Sequence, residues 1–171
     1  RNPLLKYIPV SPKDAGSGEY YISSICENCH YVRDGSGKTS NCGNNWTNAC
    51  EELSNFNGLQ RGHNYYIADG SYSSYNFNSP ESGSQYIYIK KATLSDHGTN
   101  VGWNSSYGNG IVEFSATSGG VWTVTTSNWI FDGQIRGGPE SWKSGHGFKL
   151  RATLPAQKIV YLGIYGQSNR V

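Results

Sequence analysis

The pentapeptide Cys26-Glu27-Asn28-Cys29-His30 is the stretch of this sequence whose residue types and spacing most clearly could do chemistry. Two thiols three residues apart could form thioether bonds to the vinyl groups of a haem, and the histidine that follows could ligate the iron, as in a C-x-x-C-H site for haem c. The same cysteines could instead form a disulfide with each other, or pair crosswise with Cys42 and Cys50. A zinc site is a third interpretation, although tetrahedral zinc needs a second pair of ligands that this stretch does not supply.

Cys42 and Cys50 flank a short segment further along the chain. We expect a disulfide between them that holds this segment as a lid over the open end of the fold, where an uncovered sheet edge would otherwise invite aggregation. The total of four cysteines is even, which is typical of proteins in oxidising compartments. The sequence therefore predicts an exported protein, located outside the cell or on its surface.

Charged side chains near the predicted strands could supply acid–base chemistry. Removal of a sugar C5 proton needs a base, and glycoside hydrolysis needs two carboxyl groups. Asp96 and His97 are adjacent and could form a hydrogen-bonded pair, and His146 lies between glycines. Charged side chains at outward-facing positions are also typical of any solvent-exposed β surface. Their presence therefore does not identify a catalytic residue. The further candidates are the basic residues Lys90, Lys91, Arg136, Lys149 and Arg151 and the acidic residues Glu113 and Asp132.

Aromatic residues outside the predicted core could stack on the apolar faces of sugar rings. The best candidates for such contacts are Trp103 and Trp142, followed by Tyr72 and Tyr107. The alternative is that these tyrosines pack against glycine-rich turns.

The segment 34–41, DGSGKTSN, ends like a phosphate-binding loop. Its glycines do not meet the G-x-x-x-x-G-K-[ST] spacing, and no helix is predicted directly after it. We therefore interpret it as a connection between a strand and the lid segment.

The composition limits the classes of function. A length of 171 residues fits one domain. Charged residues are 15% of the chain and the net charge is +2, which is too neutral for a dedicated nucleic-acid binder. No run of about 18 apolar residues is present, so no membrane span is predicted. The 13 tyrosines and 22 glycines are typical of short strands joined by tight turns.

Three segments are predicted from these patterns. Residues 1–24 are proline-containing and form an extended arm, residues 25–60 form a cysteine-containing cap with a short helix beginning at Thr47, and residues 61–171 form the β-rich body. Clusters of β-branched and aromatic residues recur in the body about every 20 residues, which predicts a solenoid of about four to five coils. An antiparallel sandwich is the alternative. The clusters lie at 65–68, 86–90, 111–114, 128–133, 147–152 and 158–166.

Four motifs carry a resemblance to a known family. They are YVRDG at 31–35, WTNA at 46–49, YYIADGSY at 65–72 and IYIKKATLSDHG at 87–98. Together they resemble the opening of bacterial right-handed parallel β-helix proteins of the pectin-lyase-like superfamily, over about residues 31–166. The resemblance implies an exported, all-β, right-handed parallel β-helix. It implies activity only weakly, because one fold hosts many functions. The C-x-x-C-H motif departs from the family pattern. The resemblance also leads us to expect that further coils follow Val171 in a longer molecule.

Three classes of function follow. The first is a secreted or cell-surface β-helix that binds or processes polysaccharide, as a lyase or glycoside hydrolase if it is an enzyme. The second is a monohaem c-type electron-transfer protein, with haem on Cys26, Cys29 and His30. The third is an assembly module in which the strands at the end of one coil pair with those of the next subunit and so form a filament. A filament that carries haem would combine the second and third classes. The expected partner is a polysaccharide or cell-surface glycan, and nucleic acid is not expected.

Overall fold

The computed structural model describes residues 26–133, 146–154 and 158–162. The predicted arm at 1–24, together with Arg136 and Trp142, lies outside the described residues. No helix that could cross a membrane occurs in the part of the chain that the structure describes.

Short parallel strands form three sheets in the described ranges. The strands are β1 Cys29–Val32, β2 Asn64–Ile67, β3 Gly70–Ser73, β4 Tyr75–Phe77, β5 Ile87–Lys91, β6 Val112–Ala116, β7 Trp122–Val124, β8 Trp129–Asp132, β9 Phe148–Ala152 and β10 Val160–Leu162. Sheet A has the order β1-β2-β5-β8, sheet B has β3-β6-β9, and sheet C has β10-β7-β4. Two 3₁₀ turns, Leu53–Asn55 and Ser105–Tyr107, are the helical elements described.

The chain visits the three sheets in the same order three times. Strands β2–β4 form the first round, β5–β7 the second and β8–β10 the third, while β1 precedes them on sheet A. Every strand pairing is parallel. The all-β prediction is confirmed, and the antiparallel sandwich is wrong.

The predicted strand clusters correspond to β2, β5, β6, β8, β9 and β10, but the repeat predicted from their spacing is wrong. Tyr65 of β2 pairs with Ile89 of β5, and Ile89 pairs with Phe131 of β8, whereas Val112 lies in sheet B. Successive clusters therefore often belong to different sheets. The step from Tyr65 to Ile89 is 24 residues and close to the predicted repeat, but the step from Ile89 to Phe131 is 42 residues and that from Val112 to Phe148 is 36, so rounds are mostly longer than predicted.

A single apolar interior is shared by the three sheets. Side chains alternate between inside and outside along each strand, as on β5, where Ile87 and Ile89 are buried and Tyr88 and Lys90 are half-exposed. Phe77 lies near the centre and meets Trp122, Trp129 and Phe131 edge to face, at ring centroid distances of 4.9 to 5.3 Å. Aromatic edge-to-face contacts add to the stabilisation from apolar burial.

A second apolar cluster, here called the outer cluster, lies against the outside of sheet A. It contains Tyr31, Trp46, Tyr66 and their small neighbours, with Trp103 and Tyr107 packed on it. The indole nitrogen of Trp46 donates to the carbonyl oxygen of His97 at 2.9 Å, and its backbone N–H donates to Val101 O at 3.0 Å. These bonds join the cap to the β5–β6 loop, residues 92–111.

The helix predicted to begin at Thr47 does not form, and that prediction is wrong. The backbone N–H of Cys50 donates to Tyr31 O at 2.9 Å, and Arg33 N–H donates to Cys50 O at 2.7 Å. Cys50 is thus bridged in parallel to Val32, and its peptide groups are unavailable for helical bonds. The predicted Cys42–Cys50 disulfide is present, with Cα atoms 5.0 Å apart, and it closes this segment over the edge of sheet A.

Carboxylates of the cap cover the outer edge of β3. Asp34 Oδ2 accepts from the backbone N–H of Ser71 at 2.9 Å, and Glu52 Oε1 accepts from that of Ser73 at 3.1 Å. In the neighbouring DGSGKTSN loop, the backbone N–H of Gly35 donates to the carboxylate of Glu51 at 2.9 Å. The loop is therefore an internal part of the cap.

Candidate functional site

The C-x-x-C-H motif is divided between the two sides of β1. Cys26 and Cys29 are joined in a disulfide with Cα atoms 5.4 Å apart, and Cys29 packs in the outer cluster. His30 points the opposite way, where its ring stacks on Tyr65 at 4.7 Å. A covalent haem needs two free thiols for its thioether bonds. Both thiols are joined to each other here, so the residues as arranged do not fit a covalent haem.

His30 forms a pair with His63 at the N-terminal end of the interior. His30 Nε2 lies 2.8 Å from His63 Nδ1, and the rings are stacked with centroids 5.1 Å apart. Burial, with a smaller contribution from the charge of His63, lowers the pKa of His30 from 6.5 to about 4. Burial also lowers the pKa of His63. Across the described ranges, no group of three or more His, Cys, Asp or Glu side chains is arranged to hold a metal ion.

The acid–base candidates at 90–97 form a closed network instead of the predicted Asp96–His97 pair. Tyr66 Oη donates to Asp96 Oδ1 at 2.8 Å, and the Lys90 ammonium donates to the other carboxylate oxygen. His97 Nδ1 lies 3.1 Å from Thr93 O and its Nε2 lies 2.7 Å from Asn100 Oδ1. The predicted pair is therefore wrong, because both groups have other partners.

The protonation states of this network do not favour proton abstraction. Burial alone would raise the pKa of Asp96, but hydrogen bonds from Lys90 and Tyr66 outweigh it and lower that pKa. Burial, followed by the bond to Asp96, raises the pKa of Tyr66. Burial would lower the pKa of Lys90, and Asp96 raises it overall. At neutral pH the carboxylate is charged, the phenol is neutral and the ammonium keeps its proton.

The other charged candidates are ion-paired or exposed. The Lys91 side chain is fully buried and pairs with Asp69. Lys149 and Arg151 both pair with Glu113, at 2.6 and 2.8 Å. The remaining described candidates, Asp132 and His146, are exposed.

The aromatic candidates for carbohydrate contact prove to have structural neighbours. Tyr72 is only 2% exposed and donates to Ala68 O at 2.8 Å, so the prediction that it contacts sugar is wrong. Trp103 is half-buried and stacks on His97 with centroids 4.1 Å apart. Tyr107 is half-buried beside Trp103, and the Arg33 guanidinium lies 5.2 Å from its ring centroid. Both rings contact Trp46 and so hold the β5–β6 loop to the cap.

A pair of tyrosines that the sequence analysis missed lies on the outside of sheet A. Tyr86 and Tyr88 are half-exposed, with ring centroids 6.4 Å apart. Tyr88 is in register with Asn64 on one side and Ile130 on the other. Lys90 follows on the same face of β5. The alternation Tyr86-Ile87-Tyr88-Ile89-Lys90 carries the signal, because it places the isoleucines inside and the other three outside. We call these three outward residues the tyrosine stripe.

No family model, curated protein or solved structure matches this chain. The resemblance to pectin-lyase-like proteins therefore stays a prediction from the motifs.

Proposed function

We propose that this chain is a right-handed parallel β-helix that binds polysaccharide outside the cytoplasm. Three successive rounds of parallel strands support the coil, since each round adds one strand to each of three sheets. Crossovers between parallel strands of one sheet, such as that from β1 to β2, are almost always right-handed. The motifs shared with pectin-lyase-like proteins point the same way.

The proposed location is supported by the cysteines. Both pairs in the described residues are joined as disulfides, and such bonds persist in oxidising compartments. The Cys42–Cys50 disulfide closes the segment whose backbone bridges to the edge strand of sheet A at Val32, and a structural disulfide of this kind suits an exported protein.

The tyrosine stripe is the observation that carries the binding function. Outward neighbours on one strand are about 6.6 Å apart, so Tyr86 and Tyr88 offer adjacent apolar ring faces or edges to successive sugar units. Asn64 and the Lys90–Asp96 pair border these rings with hydrogen-bonding groups. An apolar surface bordered by a few polar groups is typical of ligand sites.

The same network supports binding in preference to catalysis. A lyase needs a base that can take a proton near neutral pH. The Lys90 ammonium is held protonated by Asp96, and the Tyr66 phenol donates a hydrogen bond to the same carboxylate. Lys90 can donate hydrogen bonds to hydroxyl or carboxylate oxygens of a glycan, but a protonated ammonium cannot accept a proton from it.

Affinity measurements on a panel of neutral and acidic polysaccharides, including xylan, mannan, pectin and alginate, test the proposal. Tyr88→Ala and Tyr86→Ala should each weaken binding about tenfold, because a stacked aromatic contact contributes about 0.5–1.5 kcal/mol beyond its area. Thr123→Ala, on the outer face of sheet C, is the matched control and should bind as the parent does. Absence of binding across the panel, or equal binding by the tyrosine variants, would contradict the proposal. Formation of unsaturated sugar ends by the parent would show catalysis instead of binding alone.

A further inference from the structure

The His30–His63 pair lies where the cap meets the first round of strands. His30 belongs to β1, and His63 comes directly before β2. The ring of Phe56, which follows the 3₁₀ turn of the cap, meets His30 edge to face at 5.4 Å. Phe56 also meets Tyr65 edge to face at 5.1 Å. The histidines thus connect the cap to the end of the interior.

The hydrogen bond between the two imidazoles requires at least one of them to be neutral. One ring nitrogen must donate and the other must accept with its lone pair, and an imidazolium has no acceptor nitrogen. If both rings are protonated, the bond is lost and two positive charges face each other at 2.8 Å.

No described carboxylate offsets that charge in the immediate surroundings. The groups that face the pair are the phenyl ring of Phe56 from the cap and the phenol ring of Tyr65 from β2. The Tyr65 hydroxyl accepts from Gln60 N–H at 2.8 Å. Burial and the partner histidine are the causes that act on the pKa of His30, and burial is the cause that acts on the pKa of His63.

We propose that His30 and His63 form an acid-sensitive latch that fastens the cap to the first round of strands. Above the ordinary histidine pKa both rings are neutral and the latch is closed. Below it, protons bind more readily when the cap is loosened than when it is closed, because closure holds the pKa values low. The stabilisation is therefore fully present above about pH 6.5 and declines as the pH falls towards 4, the folded value of His30.

Loosening is expected to be local. The rounds are held by the shared interior, which contains Phe77, Ile89 and Trp129. The cap is also held by hydrogen bonds to the carboxylates of Asp34, Glu51 and Glu52, and Glu51 and Glu52 can themselves titrate in acid. Variants of the two histidines are therefore needed to distinguish the effect of the latch on the cap from the effect of those carboxylates.

Hydrogen exchange by mass spectrometry between pH 7.5 and 4.5, corrected for the intrinsic rate, tests the latch. In the parent, peptides from residues 26–60 should exchange about tenfold faster at pH 4.5 than at pH 7.5, while peptides from β5–β8 keep their protection. His30→Gln/His63→Gln removes both half-buried imidazoles and keeps two polar side chains at the junction, so the cap should lose most of this pH dependence.

His97→Gln is the matched control, because His97 is also stacked on an aromatic ring, that of Trp103, which packs on the outer cluster. It should behave as the parent does. The proposal is overturned if the parent's cap exchanges equally at both pH values, if His30→Gln/His63→Gln keeps the full pH dependence, or if the cap and the rounds loosen together. Titration of the His30 ring by NMR gives a second measurement, and a pKa at or above 6.5 would also overturn it.

Discussion

Lys91 occupies an interior position that its neighbours on β5 fill with isoleucine. It is in register with Ile67, which is itself in register with Val32 of β1. Its ammonium pairs with Asp69 at the corner between β2 and β3 and also donates to Ala92 O. A charge this deeply buried is tolerated because both partners are present.

Removal of the counter-charge at this corner should be costly. Asp69→Asn leaves the Lys91 cation buried without a carboxylate, so we expect a loss of about 3–5 kcal/mol in the free energy of unfolding. Lys149→Met breaks an exposed ion pair to Glu113 and should cost less than about 1 kcal/mol. Denaturant unfolding of both variants measures the difference, and similar small losses would show that the buried pair contributes little.

The residues also show where prediction from sequence stops at this scale. Alternation along Ile87–Lys91 places Lys91 on the inner face, yet lysine is rarely fully buried without a partner, and the sequence does not show that Asp69 of the previous round reaches it. The C-x-x-C-H motif likewise shows that residue spacing alone does not determine which groups come together in the fold. Its spacing fits haem, but the period of two along β1 sends His30 inward and Cys29 outward.

The β5–β6 loop and the cap form one unit at the scale of elements. Gly102 of the loop has φ +72° and lies against the side chain and backbone of Thr47 in the cap. The contact allows Trp46 to reach both Val101 and His97. A loop of this length is kept ordered by these contacts with the cap and by the packing of Trp103.

A methyl group at Gly102 should separate the loop from the cap. Gly102→Ala adds a Cβ that would collide with Thr47, beyond the cost of a left-handed conformation. Gly83→Ala is the control, since Gly83 has φ +56° and nothing within 4 Å of the added atom. Overpacking should make Gly102→Ala less stable than the control by about 1–3 kcal/mol, with a change in tryptophan fluorescence. Equal melting temperatures of the two variants would contradict this packing role.

Whether a strand could be predicted from the sequence depended on the types of residue it contains. Strands β2, β5, β6, β8 and β9 are rich in isoleucine, valine and aromatic residues and could be predicted. The sequences of β3 and β4, GSYS and YNF, have turn-like composition, and pairing with β6 and β7 makes them strands. The cap helix was mispredicted because its local propensity was overridden by the bonds of Cys50 to β1.

The molecule as a whole must protect the outer edges of its sheets. At the N-terminal side, the Cys50 segment covers β1, the edge strand of sheet A, and the carboxylates of Asp34 and Glu52 cover β3. Charged groups at an edge discourage pairing with another chain.

Loss of both carboxylates should expose the β3 edge to other copies of the chain. We expect Asp34→Ala/Glu52→Ala to self-associate with rising concentration, because unpaired backbone N–H groups then seek new acceptors. Glu81→Ala is the control, since Glu81 accepts from Ser127 N–H at 2.9 Å away from β3. Light scattering coupled to size-exclusion chromatography measures the mass. A double variant whose mass matches that of the control at every concentration would contradict this role.

Each round of strands meets the next through the same three positions, in parallel register. A gene segment that encodes one round could therefore be duplicated, and the new copy would find suitable partners on both of its sides. Such a chain can grow or shorten during evolution in whole rounds while its N-terminal cap stays as it is.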